Sequence, residues 1–326
     1  MHENQIKIFN FKNDLKIIIS SFFFNQKSSI GGCRHMPYSS IHDAINDCFD
    51  LSYAMALKAY FLDIAYGGSK CVIYNPNQLP FEKIAPCLGE SINQLEGRYI
   101  ASIDIGVGCK EIDLLSKYTS FVYGTNKNQD PSLYTGEGVI ETLKLIFSQL
   151  KKPTNEITVS IQGLGKVGTI VANFCLDKGV YVNGSDINLQ KLEAYSSHPN
   201  FNKVDVDQII TSHCDILIPS ASGNVINSFN IDDLNTKYIC PVANNPVENP
   251  KFLSEKINQR GIIFLPDFIT NAGGLLCVVN ELEIENTKKK PIKCITKKID
   301  ELLKQFPNQN LYKQAIQLFN ESQQID

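Results

Sequence analysis

Ile157-Thr158-Val159-Ser160-Ile161-Gln162-Gly163-Leu164-Gly165-Lys166-Val167-Gly168 decides the fold of the second half of this 326-residue chain. The run 157–162 alternates β-branched and small polar residues, the pattern of a core strand. Three glycines then follow in the order G-x-G-x-x-G. The first permits a tight turn, the second lets a pyrophosphate approach the backbone, and the third lets helix and strand pack closely. Residues 166–178 carry a helical pattern whose N-terminus would offer unpaired N–H donors to an anion. Such a glycine motif is weak alone, because glycine-rich turns are common. Here a second strand, 180–185, delivers Asp186 roughly 20 residues on, the interval at which an acidic side chain meets the adenine-ribose hydroxyls. The three features together point to a dinucleotide site, and Asp186 would repel a 2′-phosphate, so NAD is expected rather than NADP.

Working outward, residues 214–219, 238–243 and 261–265 read as further strands separated by helical stretches, an alternation that implies a parallel sheet covered by helices. Upstream lies a polar stretch, 123–132, with Gly124, Asn126, Asn128 and Pro131, the best linker candidate. A helix is expected from Thr135. The domain expectation is therefore a substrate domain over 1–130 and a dinucleotide-binding domain over 131–287. A C-terminal helix within 288–326, carrying Ile295, Ile299, Leu302 and Leu303, is expected to cross back and complete the first domain.

In the first half, residues 15–24 are β-branched or aromatic and predict a strand. Gly31-Gly32-Cys33-Arg34 reads as a turn. From Ser40 onward Ile41, Ile45, Cys48, Phe49, Leu51 and Met55 follow helical spacing, and Lys58 falls on about the same face as Met55. Gly67-Gly68 predicts a second turn that presents Lys70 to a strand over 71–74. Residues 99–103 predict another strand, delivering Asp104 at its end.

Composition limits the partners. With 31 basic and 34 acidic side chains the formal net charge is −3, which provides no field for gripping nucleic acid or an anionic membrane. A small-molecule partner is favoured. The ten cysteines show no close paired spacing of the zinc or redox kind, so no metal is expected and they read as small buried hydrophobes in a reducing compartment. The apolar run 17–24 is short and interrupted by Ser20 and Ser21, and a cytoplasmic protein is expected.

Lys58 and Lys70 are the substrate-side candidates. Most lysines are solvated surface residues, but an apolar stripe leads to Lys58 and a glycine pair presents Lys70. An α-amino acid needs a fixed cation for its carboxylate and a base near its amine-bearing carbon. Two ammonium groups in one pocket would favour one charged and one working as a base. Asp104 reads either as a proton shuttle or as an ordinary turn carboxylate at a strand end.

Taken in order, Ile30-Gly31-Gly32-Cys33-Arg34, Met55-Ala56-Leu57-Lys58, Gly67-Gly68-Ser69-Lys70, Asp104-Ile105-Gly106, Gly163 to Gly168, and Pro266-Asp267-Phe268-Ile269-Thr270-Asn271-Ala272-Gly273-Gly274 resemble the Glu/Leu/Phe/Val dehydrogenase family, with its leucine dehydrogenases nearest. The resemblance spans about residues 14–285. It implies an α/β fold with an N-terminal α/β substrate domain, a Rossmann-type dinucleotide-binding domain, and an active site in the cleft between them.

By position the resemblance also implies roles. Lys58 would bind the substrate carboxylate, Lys70 would activate water, and Asp104 would exchange protons with the amino group. Substrate contacts are implied for Ile30, Gly31, Gly32, Met55, Ser102, Asn271, Leu275 and Val278. Cofactor contacts are implied for Thr135, Gly163, Gly165, Lys166, Val167, Gly168, Asp186, Ser220, Ala221, Asn244 and Asn271. Glutamate-specific members carry a lysine immediately before the first glycine pair, where this chain has Ile30. An acidic side chain would be buried unpaired there, so a branched aliphatic substrate is expected, with an aromatic one the alternative because Ser102 is a small wall residue. Tyr60 and Phe61 depart from the small residues usual after Lys58. A homo-oligomer is expected, and the reading from another class is a non-catalytic relative that binds NAD or an amino acid.

Overall fold

The computed structural model describes residues 4–22, 28–123, 130–282 and 290–323. The chain forms two compact units, one comprising Met1–Gln129, Glu281–Ile284 and Ser322–Asp326 and the other Asp130–Asn280 with Glu285–Glu321.

The first unit runs β1 (Asn4–Asn10), β2 (Lys16–Phe22), β3 (Ser29–His35), α1 (Ile41–Phe61), β4 (Gly67–Tyr74), α2 (Phe81–Asn93), β5 (Tyr99–Ser102) and α3 (Cys109–Leu115). Its sheet has the order β1-β2-β4-β3-β5. The β1, β2 and β4 strands pair antiparallel, and β4, β3 and β5 pair parallel. On one face Ile17, Ile19, Cys33, Cys71, Ile73 and Tyr99 pack with Ile84, Leu88 and Ile92 of α2 and Ile112 of α3. On the other face Ile18 and Val72 pack with Ala44 and Cys48 of α1.

Three expectations are corrected in this unit. Gly31-Gly32 is not a turn but the centre of β3, and Gly67-Gly68 begins β4 rather than preceding it. Both pairs serve close packing. A Cβ on Gly31 would lie 1.7 Å from the Ser69 carbonyl oxygen of the neighbouring β4, and one on Gly68 would lie 2.0 Å from the Ala56 nitrogen, so at Gly68 β4 and α1 approach closer than any side chain allows. Along α1 the buried stripe is Ala44, Cys48, Ser52, Ala56 and Ala59, whereas Phe49 is exposed. Small residues replace the expected large ones because the helix lies so near the sheet. Ser40 caps α1, its hydroxyl accepting from the Asp43 N–H. Within the expected strand 15–24, residues 23 and 24 lie outside the described residues.

The second unit runs α4 (Pro131–Leu150), β6 (Thr158–Gln162), α5 (Lys166–Asp177), β7 (Tyr181–Ser185), α6 (Leu189–Glu193), β8 (Phe201–Lys203), β9 (Ile216–Pro219), β10 (Tyr238–Ile239), α7 (Pro250–Gln259), β11 (Ile263–Phe264), α8 (Asp267–Thr270), α9 (Gly273–Leu282), α10 (Lys293–Gln305) and α11 (Leu311–Ser322). All six strands are parallel in the order β11-β10-β9-β6-β7-β8. The order reverses at β6 and β9, the switch point beside which open α/β sheets bind ligands at their strand C-termini. The α4 helix begins at Pro131 rather than Thr135, because Asp130 caps it through the Ser132 N–H and proline suits the first turn. The linker expected over 123–132 lies largely outside the described residues.

The C-terminal helices α10 and α11 fall within the second unit up to Glu321, and the residues from Ser322 on group with the first. Ile295, Ile299 and Leu302 of α10 are buried, and the helix packs against α4 and α8. The Tyr312 ring of α11 lies 5.5 Å from Phe264 and 5.6 Å from Phe268. The apolar stripe was legible, but the partner that covers it belongs to the dinucleotide-type unit. No described helix is long and apolar enough to cross a membrane. The ten cysteines are unpaired as disulfides, and Cys109 is exposed rather than buried.

Candidate active site

Alternation along the strands sorts the substrate-side candidates. Since Cys33 and Cys71 point into the α2 side, Ile30, Gly32, Arg34, Gly68 and Lys70 belong to the side covered by α1. Lys70 is 6% exposed, an uncommon fate for a lysine. Its Nζ lies 2.7 Å from Asp104 Oδ2. Asp104 is fixed by a tight turn after β5 in which it exchanges backbone hydrogen bonds with Val107 at 3.0 Å each way. The turn needs Gly106, whose φ is +75° and whose absent Cβ would lie 1.8 Å from the His35 carbonyl oxygen. Asp104 is thus a turn residue and an ion-pair partner at once, so the two readings of it are compatible.

A second cation reaches the same oxygen. Arg34 Nε donates to Asp104 Oδ2 at 2.9 Å. Burial alone would push the Asp104 carboxyl up, but Lys70 and Arg34 together hold it below the usual range. Arg34 Nη1 also donates to Asp47 Oδ2 at 3.1 Å, and the Tyr38 hydroxyl donates to the same oxygen. Neither Asp47 nor Tyr38 was singled out from sequence, and Arg34 was noted only as part of a motif. Asp47 lies beside Cys48 in the buried stripe of α1, and that position was the available signal.

Lys58 is half-buried in the last turn of α1, two residues beyond Ala56, which touches Gly68. Met55, in the preceding turn, is half-buried. Ile30 is buried and sits in register between Gly68 and Ile100. Gly32 pairs with Ser102, which is 5% exposed and whose hydroxyl finds no hydrogen-bond partner among the described residues. Tyr60 and Phe61 stack edge to face at 5.0 Å, and the buried Phe61 closes the end of α1.

The second unit gathers the dinucleotide candidates at the C-terminal edge of its sheet. Gly163 has φ +96° and follows β6, and a Cβ there would lie 2.6 Å from Ala221. A Cβ on Gly168 would lie 2.0 Å from the Gly163 carbonyl oxygen, whereas one on Gly165 would meet nothing within 4 Å. Gly163 and Gly168 therefore make the turn possible, and Gly165 leaves an open approach to the α5 N-terminus. Lys166 is exposed there and pairs with Asp130 at 3.3 Å, and Val167 is half-buried.

Asp186 stands at the end of β7. Its Oδ2 accepts from the Leu164 N–H at 2.8 Å and Lys191 Nζ at 3.0 Å, and its Oδ1 accepts from the Asn188 N–H at 2.8 Å. Burial raises its pKa, but these donors outweigh burial and hold the carboxylate ionised below the usual range. A carboxylate has about four lone-pair sites, so acceptor capacity remains for a ribose.

At the other end of the edge, Asn271 Nδ2 donates to Val242 O at 3.1 Å and Asn244 Oδ1 at 3.0 Å, while its own Oδ1 is buried without a partner among the described residues. The same is true of Ser220 Oγ, which borders Gly168. Thr135 lies against Gly273 and Gly274. Two orphaned buried oxygens and an open glycine turn fit a dinucleotide whose carboxamide and phosphates supply the missing donors and acceptors. Leu275 is buried in α9 and Val278 half-buried.

Among the described residues no group of three or more His, Cys, Asp or Glu side chains is placed to hold a metal ion.

Comparison with known proteins agrees with this geometry. Residues 184–325 match the family model Glutamate/Leucine/Phenylalanine/Valine dehydrogenase, and residues 14–121 match the model Glu/Leu/Phe/Val dehydrogenase, dimerisation domain. The chain is 33% identical over 281 residues to phenylalanine dehydrogenase of Caldalkalibacillus thermarum, covering 82% of this chain and 75% of that one. It is 29% identical over 286 residues to leucine dehydrogenase of Bacillus subtilis, covering 85% and 78%. The crystal structure of L-tryptophan dehydrogenase from Nostoc punctiforme is similar with a TM-score of 0.82 at 27% identity, covering 99% of this chain and 97% of the other.

Proposed function

From the premise that the chain belongs to the Glu/Leu/Phe/Val dehydrogenase family, and is thus an oxidoreductase acting on CH–NH2 groups, we propose that it catalyses the reversible, NAD-dependent oxidative deamination of an apolar L-amino acid to its 2-oxo acid and ammonia. The observation that carries this reading is the buried Lys70–Asp104 pair at 2.7 Å. In this reading Lys58 binds the substrate carboxylate. When bound, NAD supplies the acceptor for the hydride that leaves Cα, and the substrate becomes an imine. After passing a proton to Asp104 across their 2.7 Å contact, Lys70 Nζ orients a water and takes its proton as the oxygen adds to the imine carbon. Asp104 carries the proton that lets the amino group leave as ammonia. A positioned acid–base pair of this kind contributes about 10²–10⁴-fold in rate.

The residues that would hold the dinucleotide are Gly163, Gly165, Lys166, Val167 and Gly168 at the phosphates, with Ser220, Ala221 and Asn244 beside them. Asp186 would take the adenine ribose, and Thr135 and Asn271 the carboxamide. Preference for NAD over NADP rests on the ionised Asp186, which opposes a 2′-phosphate.

The preferred substrates are branched aliphatic amino acids. Ile30 supports this, since it is 1% exposed beside Gly68 and offers no cation to an acidic side chain. Met55, Gly31 and Gly32 would add to the apolar lining on the first unit. Aromatic substrates are a second reading, favoured by the small Gly32–Ser102 pair and by likeness to phenylalanine and tryptophan dehydrogenases. One methylene of pocket space is worth about 1–3 kcal/mol, so a substrate panel separates the two. NADH formation with leucine, valine, phenylalanine, tryptophan and glutamate is the test. Highest kcat/KM with leucine or valine is expected, and no turnover with any of them would favour a non-catalytic binding protein.

A homo-oligomer, a dimer or larger, is part of the same reading, supported by the match of residues 14–121 to a dimerisation domain. The ten free thiols suit a reducing cytoplasm.

A further inference from the structure

We propose that Arg34 is a positioning residue for Asp104, and that Asp47 and Tyr38 hold Arg34 in place for it. This inference rests on the functional reading above for its catalytic consequence, but its geometry stands on its own. Four charges of alternating sign lie in one chain: Lys70, Asp104, Arg34 and Asp47. Their contacts are 2.7, 2.9 and 3.1 Å. Their side-chain exposures are 7%, 20%, 14% and 30%, so the line runs from the buried lysine toward solvent.

Each link comes from a different element. Lys70 is on β4, Asp104 on the turn after β5, Arg34 on β3 and Asp47 on α1. The guanidinium is planar and uses Nε for one carboxylate and Nη1 for the other, which fixes its plane in a way that a lysine cannot reproduce. Tyr38 closes the outer end, its hydroxyl donating to Asp47 Oδ2, and burial with that acceptor pushes its phenol up, so it stays protonated as a donor.

The arrangement has two effects on Asp104. Lys70 and Arg34 bind the same oxygen, Oδ2, which pins the carboxylate from two sides. In addition, Arg34 adds a positive charge that opposes protonation of Asp104, while Asp47 offsets part of that charge. Among the described residues the charged groups facing Asp104 are Lys70 from β4 and Arg34 from β3, while the Cys33 thiol feels its charge from the other face of the sheet. The groups facing Arg34 are Asp104, Asp47 from α1 and Tyr38. A group that must pass a proton needs an affinity that is neither too high nor too low, and Asp47 supplies the correction that two cations on one carboxylate would otherwise lack.

The test uses full-length protein labelled with ¹³C at aspartate carboxyls, with the Asp104 signal identified by its loss in Asp104→Asn. Arg34→Met should move the Asp104 titration midpoint up, and Asp47→Asn should move it down, two shifts of opposite sign that general loosening would not produce. Arg34→Lys should keep the midpoint near that of the parent, because charge is retained. Its kcat in amino-acid oxidation should still fall about 10- to 100-fold, the cost of misplacing a reacting group, with the KM for NAD unchanged. Midpoints that stay put, or move the same way in Arg34→Met and Asp47→Asn, would overturn the network, and a fully active Arg34→Lys would overturn the positioning role. If Arg34→Met does not fold, Asp47→Asn decides by the direction of its shift. Should the parent oxidise no amino acid, the functional reading fails by itself, and the carboxylate titration still decides the network.

Discussion

Both units are organised by glycines, but for opposite purposes. In the first, Gly31 and Gly68 are filled in by protein: the absent Cβ positions lie 1.7 Å from Ser69 O and 2.0 Å from Ala56 N. In the second, Gly163 makes a left-handed turn at φ +96°, and Gly165 faces nothing within 4 Å. The first set brings strand against strand at Gly31 and helix against sheet at Gly68, around the strand that carries the buried Lys70. The second keeps space open at a helix N-terminus. Glycine in a sequence therefore reports that a side chain is forbidden without saying whether protein or ligand takes its place.

Substitutions can break that contrast. The largest effect expected is on Gly68→Ala, where the new methyl meets rigid helix backbone. Overpacking costs about 1–3 kcal/mol and occasionally more, so its melting temperature should drop by several degrees with activity lost alongside. Gly165→Ala should leave the melting temperature unchanged and weaken dinucleotide binding, by about tenfold if it costs one 1.4 kcal/mol increment, as read by NADH fluorescence titration. Equal thermal destabilisation of the two variants would erase the distinction. Ile30→Lys is expected to raise activity toward glutamate relative to leucine; an unchanged profile would show that Ile30 does not line the side-chain pocket.

The smallest effect is on pH stability. Asp104 has its pKa depressed in the folded state, chiefly by Lys70 and Arg34 against the opposing pull of burial. Its stabilising contribution is fully present above the ordinary aspartate pKa of about 3.9 and is lost as pH falls through the lower folded value. Asp104→Asn should accordingly be less stable than the parent at neutral pH, with the gap narrowing in denaturant melts below about pH 4. A constant gap across that range would contradict the ion-pair account.

The glycine-turn end of the second unit was legible in sequence, because strand, glycine turn, helix and Asp186 follow one another along the chain and each has a local cause. The first unit was less so. Gly31-Gly32 and Gly67-Gly68 read as turns because nothing local distinguishes a glycine that ends a strand from one that lets a distant helix approach. Lys70 and Asp104 were named, but their 2.7 Å contact joins residues far apart in sequence. Asp47 and Tyr38 were passed over for the same reason: each looks like a surface residue until Arg34 is placed between Asp47 and Asp104. The C-terminal stripe of Ile295, Ile299 and Leu302 was seen, yet a stripe names its own face and not the surface that covers it.

The central claim is that the buried Lys70–Asp104 pair performs the chemistry while the second unit holds the cofactor independently. Lys70→Ala tests it most directly, with NADH formation from leucine or valine and NADH affinity measured on the same preparation. The account predicts a rate loss of about 10²-fold or more with NADH affinity unchanged. A variant that retained substantial turnover while binding NADH normally would contradict it.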